Sequence, residues 1–239
     1  MVTAVIRKPG QDRQFYVFSG IKYATIELAR DFDDKLISGP FFVREEWSTF
    51  KEANWGSADA VVQVPGRNSF YVFVGGHYFR ATIDSNNQKD SMQYDGVKTI
   101  ESEWKPLVDV GFDTVDAAIP DPSNDDILFF FRGTKSLKYS YKEGKVVAGP
   151  KPISSYWPAI GEAGFDSIDA IFKTPNDDSY YVFKGDQYAR ISWNGGWDTL
   201  EINQRIIRPF NKDRFDPFKD FSLLLKIYSM YLVHSFYAH

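Results

Sequence analysis

No cysteine occurs in the 239 residues, which excludes disulfides, thiolate metal sites and a cysteine nucleophile at once. A chain without disulfides leans towards a reducing compartment. Histidine is nearly as scarce. His77, His234 and His239 are too dispersed for a zinc site, which needs three or four clustered ligands. Positive charge is not in surplus either: the formal net charge is −4, and Lys and Arg are scattered along the chain. A general nucleic-acid binder needs a cationic surface to displace counterions, so no nucleic-acid partner is expected. The mild acidity suits a cationic ligand instead.

Long apolar runs are also missing. Residues 1–8 lack the cationic-then-apolar order of a signal peptide. The most apolar segment, 221–233, is interrupted by Lys226 and falls short of the roughly 18 residues of a membrane helix. These absences predict a cytosolic protein without a membrane partner. No Walker loop, G-x-S-x-G elbow, H-E-x-x-H or dinucleotide-glycine pattern is found, and residues 84–95 lack the sixth-place glycine and final glutamate of an EF-hand. The expectation is a protein that is not an enzyme, although propeller glycosidases carry no motif that could be searched for.

What the chain does have is aromatic residues, 17% of the total, with 21 Phe and 14 Tyr. Aromatic side chains suit a pleated, half-buried surface and favour an all-β fold. They are also periodic. QFYVFSGIKYATI (14–26), SFYVFVGGHYFRATI (69–83), ILFFFRGTKSLKYS (127–140) and SYYVFKGDQYARIS (179–192) share one pattern, and their glycines 20, 75, 133 and 185 lie 55, 58 and 52 residues apart. A second landmark precedes each: TAVI (3–6), DAVV (59–62), DAAI (116–119) and DAIF (169–172). A third follows, since Gly39 to Trp47, Gly96 to Trp104 and Gly149 to Trp157 each span eight residues. Polar turns rich in Pro, Gly, Asn and Asp separate the strands. Segments such as YVFV are too apolar for a strand with one wet face and fit strands covered on both faces. The reading is a four-bladed β-propeller with about four strands per blade around a channel. Blades fall at about 1–55, 56–112, 113–165 and 166–215, with a divergent tail at 216–239. Inner strands are expected near 2–6, 58–62, 115–119 and 168–172.

The Asp-Ala-Ala or Asp-Ala-Ile openings, the YVFKGDQYAR stretch at 181–190 and the GP…WP segment at 149–158 resemble the hemopexin repeat. Together they cover roughly residues 2–210. The cysteine-free, four-repeat format is similar to the plant seed albumins of the albumin-2 group. That resemblance implies a seed-storage type of binding protein whose ligand is a polyamine (spermine), haem or both. It also implies ions on the channel axis, calcium with sodium or chloride as alternatives, and a homodimer. Departures are Thr3 in place of Asp, SLKYS in the third repeat, and Trp197 directly after Gly196.

The metal site expected from this is a ring of main-chain carbonyls from Thr3, Asp59, Asp116 and Asp169, one per blade, with a second ring two residues on at Val5, Val61, Ala118 and Ile171. The competing reading of the aspartates is that their carboxylates satisfy local backbone donors at strand starts. His77 reads as an exposed turn residue rather than a haem ligand. Phe18, Phe73, Phe131 and Phe183 read as core between blades. A spermine site would pair exposed aromatics with carboxylates, for which Asp31, Asp33 and Asp34 are candidates. The competing function is a protein- or carbohydrate-interaction scaffold using the propeller face.

Overall fold

The computed structural model describes residues 1–28, 35–64, 67–175, 178–194 and 197–205. They form four antiparallel sheets of four strands each. Blade 1 holds β1 (Ala4–Arg7), β2 (Gln14–Ser19), β3 (Lys22–Glu27) and β4 (Lys35–Phe42). Blade 2 holds β5 (Ala60–Gln63), β6 (Ser69–Val74), β7 (His77–Ile83) and β8 (Asp90–Thr99). Blade 3 holds β9 (Ala117–Asp121), β10 (Asn124–Arg132), β11 (Lys135–Ser140) and β12 (Lys145–Pro152). Blade 4 holds β13 (Ala170–Lys173), β14 (Ser179–Lys184), β15 (Gln187–Asn194) and β16 (Trp197–Arg205). The first strand of each blade touches the first strands of both neighbours, β1 with β5 and β13, and β9 with β5 and β13. The ring is therefore closed, and the molecule is a four-bladed propeller. Each inner strand starts two residues later than the repeat alone suggested.

The apolar runs are explained by two-sided burial. In β14, Tyr180 and Val182 enter the seam with blade 3, whereas Tyr181 and Phe183 enter the seam with blade 1. Successive side chains point to opposite faces of a sheet, and both faces are covered here. Phe18, Phe73, Phe131 and Phe183 are fully buried, each at 0% exposure. Each β2–β3-type hairpin turns on two residues, the first a glycine with φ between 53° and 59°, as that tight turn demands.

After each of the first three outer strands the chain forms a short helical connector. Val43, Ile100 and Ile153 open these connectors, and each donates its N–H to the hairpin of the blade just completed: Val43 to the Ile21 carbonyl, Ile100 to Gly76 and Ile153 to Thr134. Four residues later Trp47, Trp104 and Trp157 donate back to those same residues and insert, almost fully buried, into the next seam. This accounts for the eight-residue spacing from glycine to tryptophan. Carboxylates of outer strands hold the connectors from outside. Asp90 accepts the Ser48 and Thr49 N–H groups, at 3.1 and 2.7 Å, and Asp198 accepts the Ala159 N–H at 3.1 Å.

Candidate functional site in the propeller channel

The inner strands end on a channel whose polar groups are set by register. Thr3 donates its N–H to the Phe18 carbonyl, yet Ala4 is also registered opposite Phe18. Two residues thus oppose one, a β-bulge. The same bulge recurs with Asp59 and Ala60 against Phe73, Asp116 and Ala117 against Phe131, and Asp169 and Ala170 against Phe183. At such a bulge the second residue also aims its N–H at the partner strand, and the trans peptide turns the first residue's carbonyl the opposite way, towards the axis. The four bulged residues are the positions expected for the first ring.

The second ring follows from the alternation of antiparallel pairing. Lys8 N–H bonds the Gln14 carbonyl, Val64 N–H bonds Ser69 and Thr174 N–H bonds Ser179. Bonded pairs alternate with unbonded ones, so Val5, Val61 and Ile171 have their N–H and C=O turned away from their own blade. Ala118 holds the same register, opposite Phe130 as Val5 is opposite Val17. Since each inner strand is a sheet edge, these main-chain groups face the axis.

The carboxylates do something else. Asp59 Oδ2 accepts the Gly75 N–H at 2.7 Å, Asp116 Oδ2 accepts that of Gly133 at 2.6 Å, and Asp169 Oδ2 accepts that of Gly185. Each aspartate ties the start of its blade to the tight turn of the same blade. Blade 1 lacks the tie, and the Thr3 hydroxyl is buried without a partner. Among the described residues no group of three or more His, Asp or Glu side chains could hold a metal.

Above the second ring the channel widens into a cavity of about 650 Å³. Val5, Val61, Ala118 and Ile171 line its floor, and Arg7, Gln63, Asp125 and Lys173 stand at its rim. The rim residues were missed in the sequence. Their signal was a constant offset, four places after the first ring at Arg7, Gln63 and Lys173. His77 is exposed at the start of β7 and lies outside this cavity. Asp31, Asp33, Asp34, His234, His239 and the tail lie outside the described residues.

The hemopexin family profile matches residues 115–162. That stretch is blade 3, which is therefore similar to a hemopexin repeat. The chain is 27% identical to albumin-2 of Lathyrus sativus over 143 residues, which is 58% of this chain and 63% of that protein. The match thus spans less than two thirds of the relative. In three dimensions it is similar to the hemopexin fold protein CP4 from cow pea, with TM-score 0.75, 20% identity and coverage of 85% of this chain and 92% of the other. A Cicer arietinum plant lectin with two metal binding sites superposes with TM-score 0.77 and 22% identity, over 88% of this chain and 100% of that one. These likenesses establish the hemopexin fold and agree with the albumin-2 format of the repeat.

Proposed function

We propose that this is a non-enzymatic binding albumin of the albumin-2 type, which holds an ion on the channel axis and a small ligand in the cavity above it. The observation that carries the reading is the stacking of two four-membered rings of axis-turned main-chain groups beneath an open cavity, with the blade-opening carboxylates committed to turns. Calcium takes six to eight oxygens at about 2.3–2.6 Å. The carbonyls of Thr3, Asp59, Asp116 and Asp169, completed by water, suit it. Val5, Val61, Ala118 and Ile171 supply a second position, where carbonyls suit sodium and N–H groups suit chloride. Two stacked positions accord with the two metal sites of the Cicer lectin.

The ligands to try in the cavity are spermine and haem. The exposed Asp125 and Asp178 at its rim supply carboxylates for a polyamine, and its apolar floor suits part of a macrocycle. The reading includes a cytosolic protein and a homodimer whose assembly responds to the ligand, since a ligand that favours one assembly state must shift the equilibrium by the same factor.

The test is a thermal-shift and calorimetry series with calcium, spermine, haemin and a sugar panel. A ligand at a hundred times its dissociation constant adds about 2.7 kcal/mol of stability. Calcium binding should survive Asp59→Asn, because the carbonyl is unchanged and the amide oxygen still accepts the Gly75 N–H. Loss of calcium binding in that variant, with the fold intact, would show that the carboxylates hold the ion. Binding of sugars alone would transfer the protein to the interaction-scaffold class.

A further inference from the structure

The rim of the cavity is not uniform in charge. Ring order places blades 4 and 1 side by side, and blade 3 across the channel from blade 1. Arg7 of blade 1 and Lys173 of blade 4 therefore form one cationic side. Asp125 of blade 3 stands across the channel from Arg7 and on the blade next to that of Lys173, exposed and in no ion pair among the described residues. Asp121, beside it, is already engaged by Lys138 at 2.7 Å, with its own side chain 2% exposed.

The two cations have partners of their own. Arg7 meets Asp12 at 3.0 Å and Lys173 meets Asp178 at 2.7 Å. Both pairs are open to water, with side-chain exposures of 46% and 93% in one and 50% and 71% in the other. Exposed pairs of this kind are weak, so breaking one to admit a ligand carboxylate costs little. Between the two charged sides lies an apolar floor, in a volume within the roughly 300–1,000 Å³ of small-molecule sites.

We infer that the cavity takes a zwitterion, with its carboxylate on the Arg7–Lys173 side, its ammonium at Asp125 and an apolar segment on the floor between them. Free amino acids with a long spacer and short peptides share this chemistry. The inference rests on the cavity's being the ligand site, and it narrows the ligand from a polycation to a molecule with one charge of each sign. A polycation satisfies Asp125 but has to compete with Lys173 for Asp178, and it adds like charge beside Arg7 and Lys173. A simple anion leaves Asp125 unanswered.

The test is calorimetry on the full chain at low ionic strength with 6-aminohexanoate, hexanoate and 1-aminohexane, and with spermine and haemin alongside. 6-Aminohexanoate should bind at least tenfold more tightly than either single-ended analogue. Lys173→Gln should remove most of its advantage over 1-aminohexane, and Asp125→Asn most of its advantage over hexanoate. Both residues are exposed, so a melting curve suffices to confirm the fold of the variants. Equal affinity for 6-aminohexanoate and 1-aminohexane, or indifference to Lys173→Gln, overturns the inference. Binding of spermine or haemin without 6-aminohexanoate overturns it too but leaves the binding-albumin reading standing. Failure of all five compounds removes both.

Discussion

Among the described residues, three seams of the propeller are built alike and the fourth is not. The seams from blade 1 to 2, 2 to 3 and 3 to 4 each contain a connector tryptophan, Trp47, Trp104 or Trp157, packed edge-on or tilted against rings from its own blade or from both adjoining blades. The closing seam between blades 4 and 1 is made, among the described residues, of strand side chains only. Phe15 meets Phe172 across it at 5.2 Å, and Phe172 stacks on Phe183 at 6.2 Å and 9°. Eleven buried residues form this cluster among the described ones, against fifteen or sixteen in the others. The chain has no disulfide, so the described strands of this seam are held by that smaller cluster alone among the described residues. The ring should therefore open there first.

The largest expected effect tests this contrast at its strong side. Trp157 is 0% exposed, and Trp157→Ala should cost about 3–5 kcal/mol of unfolding free energy in urea titration, as for other large core truncations. Native-state hydrogen exchange then compares the seams directly. Amides bonded between β1 and β2 and between β13 and β14 should exchange at lower opening free energy than those between β5 and β6 or β9 and β10. Uniform protection across all four blades would break the comparison.

A smaller effect concerns the ties between blade openings and turns. Asp116→Ala leaves the exposed Gly133 N–H to water in place of its carboxylate acceptor and should cost about 0.5–1.5 kcal/mol, the net worth of a typical hydrogen bond. Next comes Asp198, which desolvation raises from its ordinary 3.8 to about 6, with the Glu162 charge adding to the rise and the Ala159 N–H opposing it. An acid raised in the folded state holds its proton more firmly there than when unfolded, so its contribution falls as pH climbs from about 4 through 6. Asp198→Asn should flatten the decline in melting temperature over that window and stabilise the protein at pH 7, on the order of 1 kcal/mol after allowance for partial exposure. An unchanged pH profile would remove Asp198 as its source. Smallest is Thr3→Asp. It supplies blade 1 with the missing acceptor for the Gly20 N–H and should raise stability by about 0.5–1.5 kcal/mol in the same titration. No gain would mean that the turn of blade 1 is satisfied by water.

The propeller was legible in the sequence because every blade repeats its demand for an aromatic strand and a glycine turn, and three of the four open on an aspartate. What escaped was local and short. The connectors run only four to six residues as α-helix, too few for a helical period to emerge, and the tryptophan spacing was visible without its cause. The equivalence of Thr3, Asp59, Asp116 and Asp169 is plain in the repeat, but a bulge cannot be read from composition, and it delays each inner strand by two residues. The cavity rim was illegible for another reason. Arg7, Gln63 and Lys173 look like ordinary solvated strand ends until four blades bring them to one opening.

The two-sided burial of β14 also limits how such a chain can change length. Removing one residue between Tyr180 and Phe183 would exchange the side chains feeding two different seams, so the error would reach both neighbours rather than one blade. Removing two would restore the faces but pull Gly185 away from the Asp169 carboxylate. Insertions and deletions are therefore confined to the turns, and the strands drift by substitution alone. That is consistent with four repeats that keep their spacing far better than their letters.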